Sequence, residues 1–131
     1  MTHVVDASVV IALLDPHDAH HENARRALDE HAGSSLVLPA SAYAETLVGP
    51  AQQGVADRAI EAIGRLGVDI APIDAAVAEG AAALRARHAS LRLPDALVLA
   101  CGEVLDAEAV WTADGRWPSI TDRARLIDSP A

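Results

Sequence analysis

The chain has 131 residues and a net charge of −9, and 51% of its residues are apolar. That length suits a single domain, 1–131, with one core, and the apolar content excludes a disordered chain. With no Phe, one Tyr and two Trp the core must be aliphatic, and the single cysteine, Cys101, excludes an intrachain disulfide.

The elements follow in order along the chain. His3 to Asp6 predicts a short buried strand and Ser8 to Leu14 a short helix, broken by Asp15-Pro16. His20 to His31 predicts a helix, with Gly33 suited to its C-terminal cap. Leu36 to Leu38 is a second strand ended by Pro39. Ser41 can cap a helix through Glu45 to Val48, with Gly49-Pro50 as an interruption. Ala51 to Leu66 then predicts a longer helix with Val55, Ala59, Ile63 and Leu66 on one face, ended by Gly67. Val68 to Ala71 is a third strand. Asp74 caps a helix to about His88, and a loop with Ser90 and Arg92 follows. Pro94 sits in the first turn of a helix to Leu105. Ala109 to Thr112 is a fourth strand, and Leu126-Ile127 a short fifth.

Strands that alternate with helices predict an α/β protein, a three-layer α/β/α sandwich around a parallel sheet. No apolar run approaches the ~20 residues that span a bilayer, and no signal-peptide pattern opens the chain, so a cytoplasmic protein is expected. Cys101, among Val98, Leu99 and Ala100, reads as a small buried hydrophobe.

The acidic charge argues by itself against nucleic acid, because phosphate binding wants a basic surface. The objection weakens where acids gather at one site and hold divalent cations, which reverse the local field. Such a gathering is visible. Asp6 ends the first strand, Glu45 lies on the helix leaving the second, Asp95 opens the helix before the fourth, and Asp114 follows the fourth. In parallel sheets ligands bind beyond the carboxyl ends of the strands, at the point where strand order reverses. All four acids can meet at that edge.

Clustered carboxylates repel unless a cation or a shared proton relieves them. Oxygen-only ligands select Mg²⁺ or Mn²⁺, ions that lower the pKa of a bound water and stabilise a leaving oxygen in phosphodiester hydrolysis. The hydroxyls of Ser8 and Thr112 could orient a ligand or water beside Asp6 and Asp114. Taken singly each acid has a plainer role: Asp6 as a helix cap, Asp95 as a partner of its helix dipole, Glu45 as a solvated side chain, Asp114-Gly115 as a turn. Their common placement at one edge favours the shared site.

At these residues the sequence resembles the PIN-domain family and, within it, the VapC-type toxins of bacterial toxin–antitoxin pairs. The matching segments are Val4 to Leu14, Ala44-Glu45, Leu93 to Ala100, and Thr112 to Asp114. The resemblance implies a PIN-like, Rossmann-like fold with a central sheet of four or five parallel strands. It implies an Mg²⁺- or Mn²⁺-dependent endoribonuclease that cuts single-stranded regions of tRNA or rRNA and leaves 5′-phosphate and 3′-hydroxyl ends. It also implies a homodimer neutralised by a cognate VapB-like antitoxin. Carried over, Asp6, Glu45, Asp95 and Asp114 would be the catalytic metal ligands, with Asp114 at the family's most variable position.

The remaining polar features are weighed around that site. Arg85, Arg87, His88 and Arg92 precede Asp95, and Arg116, Arg123 and Arg125 follow Asp114. Guanidinium groups suit phosphate, so Arg85, Arg87, Arg92 and Arg116 are candidate RNA contacts, against a solvated helix face as the plainer reading. Trp117 could stack on a base, but core packing or a dimer contact suits it better. His17, His20 and His21 read as surface residues before a metal site. Val55, Ala59 and Ile63, with Tyr43 and Leu47, could face a dimer partner or the core.

A haloacid-dehalogenase-like phosphatase or a receiver domain would need a Lys, and all ten basic residues are Arg. A catalytically silent scaffold module of the same fold and a housekeeping RNA-processing nuclease remain as alternatives.

Overall fold

The computed structural model describes residues 1–128. Its elements are β1 (Thr2–Val5), α1 (Ala7–Leu14), α2 (His21–Glu30), β2 (Ser35–Pro39), α3 (Ala40–Gln52), α4 (Ala56–Arg65), β3 (Asp69–Ala71), α5 (Ala75–Arg87), α6 (Leu93–Val104), β4 (Ala109–Thr112) and β5 (Ala124–Leu126), with a 3₁₀ turn at Trp117–Ser119. The five strands form one sheet in the order β3-β2-β1-β4-β5, and every pairing is parallel. The expected α/β class and parallel sheet are observed, with the strand number settled at five.

The chain steps outward from β1 to β2 and β3, then crosses back to β4 and on to β5. Strand order therefore reverses between β1 and β4. Right-handed crossovers place α1 to α4 on one face and α5, α6 and the Trp117 turn on the other. The packing agrees for most pairs: α1 meets α2, α3 and α4, and α6 meets α5 and strands β1, β2 and β4, while α3 also reaches α6.

Central β1 is covered on both sides, so His3, Val4 and Val5 are all buried. Alternation divides the strand residues between the two faces. Val110 points to α6, where an added Cβ on Gly102 would stand 2.5 Å from its Cγ2. Glycine at that position lets α6 lie close on β4. Trp111, on the opposite face, donates its indole N–H to Nδ1 of buried His3 at 2.9 Å. Nε2 of His3 is then the ring nitrogen that carries the proton, and it donates to Glu108 at 2.9 Å. The buried imidazole is thereby satisfied.

Several boundaries depart from expectation. Gly33 does not cap α2, which ends at Glu30; the positive-φ glycines are Gly54 and Gly67. Ser41 does not cap α3 either. The helix starts from Pro39, and the Ser41 hydroxyl is buried without a partner among the described residues. Gly49-Pro50 does not interrupt α3, which runs to Gln52, because a proline removes one N–H bond yet keeps a helical φ. The long helix expected from Ala51 is split instead at residues 53–55, where Gly54 takes φ +74°. Gly67, at φ +76°, ends α4 as expected. The fifth strand lies slightly earlier, at Ala124–Leu126.

Asp74 caps α5 through the backbone N–H of Val77 at 3.0 Å. Trp117 is 1% exposed and belongs to the core, as does Cys101, whose thiol is pushed up by burial and stays protonated. Ala59 and Ile63 of α4 likewise turn inward. Among the described residues no helix is long and apolar enough to cross a membrane.

Candidate active site

Asp6 leaves β1 at the reversal point with extended backbone and becomes the N-cap of α1. Its Oδ1 accepts from the Ala7 N–H at 2.8 Å. Its Oδ2 accepts from the Ser8 hydroxyl at 2.8 Å and from the Thr112 hydroxyl at 3.1 Å. Both hydroxyls also accept from β4's exit: Ala113 N–H donates to Ser8 Oγ at 3.1 Å, and Asp114 N–H donates to Thr112 Oγ1 at 3.0 Å. Asp6 is therefore a helix cap and also the hub of a network that ties β1 to β4. Ser8 and Thr112 act on the Asp6 carboxylate, where the sequence had suggested that they face a ligand.

Asp95, half-buried, occupies the first turn of α6 behind Pro94. Arg92 approaches it with Nε 3.7 Å from Oδ2. Glu45 projects from α3 and is exposed. Asp114 is gripped by Arg116: its Oδ1 accepts from the Arg116 backbone N–H at 2.9 Å and from Nε at 3.0 Å, and its Oδ2 accepts from Nη2 at 2.6 Å.

Three of these carboxyls share one electrostatic environment. Burial, chiefly, pushes Asp6 above its ordinary value, and the charge of Asp95 adds to it against the lowering hydrogen bonds. Glu45, though largely exposed, is raised by the partial desolvation of its carboxyl, then by Asp6 and Asp95. Asp95 is raised by burial, with Arg92 opposing and Asp114 adding. Asp114 alone is held down, by the Arg116 hydrogen bonds. Each raised acid would gain from a nearby positive charge.

The acids do not form a closed chelate. Among the described residues no three His, Cys, Asp or Glu side chains stand together as a ready metal-binding group. The four acids are thus linked in charge through Asp95 and do not form one ready chelate. The reason is local. Oδ2 of Asp6 is occupied by two hydroxyls and Asp114 by a guanidinium. The donor chemistry still fits a hard dication, since every group is an oxygen acid or hydroxyl and three carboxyls are raised, by burial first and by a neighbouring acid second.

The candidate arginines separate. Arg92 and Arg116 stand at the acids. Arg85 spends its Nε on the Leu91 carbonyl at 2.7 Å, and Arg87 is exposed in the last turn of α5. Both suit the negative end of that helix. His21 bonds the Ala12 carbonyl through Nδ1 at 2.7 Å, and His17 is exposed, so these residues form no common site. What sequence reasoning missed is a cleft of about 270 Å³ beside Asp95, lined in part by His88, Ser119 and Ile120. Its walls come from α5's end and the loop after β4, which no local motif links.

The grip of Arg116 on Asp114 makes a direct prediction. In metal-free buffer, Arg116→Gln should raise the Asp114 carboxyl toward the ordinary carboxylate value. Carboxyl titration by NMR would read this, and an unmoved Asp114 would mean that the ion pair does not set its acidity.

A sequence model of the PIN domain matches residues 3–122. Among solved structures, the fold is similar to a toxin–antitoxin complex from Klebsiella pneumoniae, with a TM-score of 0.80 and 21% identity over 95% of this chain and 97% of that one. It is similar also to Mycobacterium tuberculosis VapC20, described as a sarcin–ricin loop cleaving toxin, with a TM-score of 0.75 and 21% identity over 89% and 93% of the two chains. FitAcB from Neisseria gonorrhoeae gives 0.74 and 22% over 95% of each. At these identities the likeness is one of fold. No curated protein matches the chain at a significant level. The family match spans nearly the whole sequence and coincides with the observed sheet order and the acids at its reversal point: the chain belongs to the PIN domain family.

Proposed function

We propose that the chain, acting as one domain, is a metal-dependent endoribonuclease that serves as the toxin of a toxin–antitoxin pair. The observation that carries this reading is the shared field of Asp6, Glu45 and Asp95 at the carboxyl edge of the sheet, where β1 and β4 part. Carboxyls raised there by burial first and by neighbouring acids second are suited to a divalent cation and, through it, to a phosphodiester.

Asp6, Glu45, Asp95 and Asp114 would hold Mg²⁺ or Mn²⁺, which supplies charge stabilisation at the phosphate and a more acidic water. The chain's own residues prepare that chemistry. Ser8 and Thr112 fix the orientation of the Asp6 carboxylate. The N-terminus of α6 places its positive dipole end behind Asp95. Arg92 and Arg116 flank the acids and would bind phosphate oxygens of single-stranded RNA. Asp114 would meet the cation while it keeps its bonds to Arg116, whose remaining N–H groups would reach phosphate. Arg85 and Arg87, set further along α5, would add to the field that attracts the backbone.

The solved toxin–antitoxin neighbours support a VapB-like antitoxin as the protein partner, and the sarcin–ricin-cleaving neighbour supports structured RNA, tRNA or rRNA, as the substrate class. A homodimer acting in the cytoplasm completes the reading.

The test is incubation of partner-free protein with a panel of structured RNAs in Mg²⁺, in Mn²⁺ and in EDTA. Cleavage that requires the ion and leaves 5′-phosphate ends supports the proposal. Intact RNA across the panel, with the ion bound, would favour the scaffold reading.

A further inference from the structure

We infer that the cleft between the start of α6 and the Trp117–Ser119 turn is a subsite for the base of one unpaired nucleotide beside the scissile phosphodiester, and that it selects the RNA sequence cut. The inference rests on the ribonuclease reading above and extends it to specificity.

Place is the first argument. The cleft is lined by Asp95 and Arg116, two of the groups at the candidate active edge, so a nucleotide held at those residues delivers its base there. Size is the second. At about 270 Å³ it falls just below the range of pockets that enclose whole small-molecule ligands, and so suits one planar base. The third is lining chemistry. Leu91, Trp117 and Ile120 supply apolar wall for the flat faces of a base, while His88 and Ser119 supply polar atoms for its edge. Ser119 donates its hydroxyl hydrogen to the Arg116 carbonyl at 2.7 Å, which leaves its oxygen lone pairs to accept from an amino group.

Two further features point to a ligand. The guanidinium of Arg116 is exposed but fixed in plane by its bonds to Asp114, giving a rigid cationic surface at the mouth of the cleft. Unpaired bases stack on such planes. Trp117 is 1% exposed, yet its indole N–H has no partner among the described residues. It also forms part of the cleft wall, so a base seated there changes the surroundings of the indole and is read at that N–H.

The experiment maps cut sites in an RNA library with a randomised single-stranded segment, using wild type, Ser119→Ala and Ile120→Trp. Wild type should prefer one base at one position next to the cut. Ile120→Trp, which fills the cleft, should flatten that position and leave preferences elsewhere in place. Ser119→Ala should reduce the same preference about threefold to tenfold, the range of one hydrogen bond. Identical profiles for all three proteins would overturn the inference. Ser119 is exposed, so its variant carries the test if Ile120→Trp fails to fold. A second arm separates this claim from the ribonuclease reading. The chain has two indole N–H groups, Trp111 and Trp117, which NMR resolves individually. Titration of wild type with AMP, CMP, GMP and UMP should shift Trp117 and leave Trp111 in place, whether or not any RNA is cut. If neither signal moves, the subsite is wrong even where cleavage is observed. If no library RNA is cut while Trp117 moves, the ribonuclease reading falls and the base-binding cleft stands.

Discussion

Asp6→Asn is expected to lower RNA cleavage by two decades or more, about 3 kcal/mol of transition-state stabilisation. The substitution keeps the side chain's shape. The amide oxygen can still accept from Ala7, and the Ser8 and Thr112 hydroxyls can rotate to meet an amide N–H. What is lost is the negative charge at the hub of the network, and with it the strongest reason for a dication to sit there.

Stability should move the other way. A carboxyl whose folded pKa lies above its unfolded one binds more protons when folded, so stability falls as pH rises from about 3.8 through the raised value of Asp6. Asn has no such proton to lose, so the variant lacks this pH-dependent loss. In metal-free buffer the variant should therefore melt no lower than wild type near pH 7, with a smaller change in Tm between pH 4 and 7. Lost activity together with a lowered Tm would mean damage to the fold and would remove Asp6 from the catalytic account.

The second large effect concerns the frame. Leu99→Ala should destabilise the protein by about 2–5 kcal/mol, the range for a truncated core leucine. Leu99 is 2% exposed on α6, the helix that packs on β1, β2, β4 and α5 and carries Asp95 in its first turn. Domains of this size have about 5–15 kcal/mol in total, so a large part of the margin is at stake. Leu93, on the same helix but 50% exposed, provides the contrast: Leu93→Ala should stay within about 0.5 kcal/mol. Urea unfolding midpoints measure both. Equal midpoints would contradict the placing of α6 at the core.

The sheet was legible in the sequence because its strands are short apolar runs bounded by strong signals: Asp6 after Val5, Pro39 after Leu38, and Asp114 two residues past Thr112. The helices α5 and α6 were legible from Asp74 and Pro94. The α3–α4 region was misread because proline and glycine act by backbone conformation, which sequence does not state. Pro50 kept a helical φ, while the break came at Gly54, where a left-handed φ turned the chain. The same applies to the site. Which acids lie at the active edge follows from strand order, and strand order follows from the alternating pattern. That Ser8 and Thr112 both donate to Asp6, or that Arg116 grips Asp114, depends on rotamers and loop geometry with no periodic signature. The cleft beside Asp95 was invisible because helix α6 and strand β4 separate its two walls in the sequence.

The central claim is that the acids at the reversal point are a divalent-ion site. The most direct measurement is a Mn²⁺ titration of isotopically labelled protein, followed by paramagnetic broadening of backbone signals. Broadening that begins at Asp6, Ser8, Glu45, Asp95 and Asp114, and that Asp6→Asn weakens by tenfold or more in added metal, is the predicted result. Broadening that begins at His17 to His21, or that is the same in the variant, would contradict it.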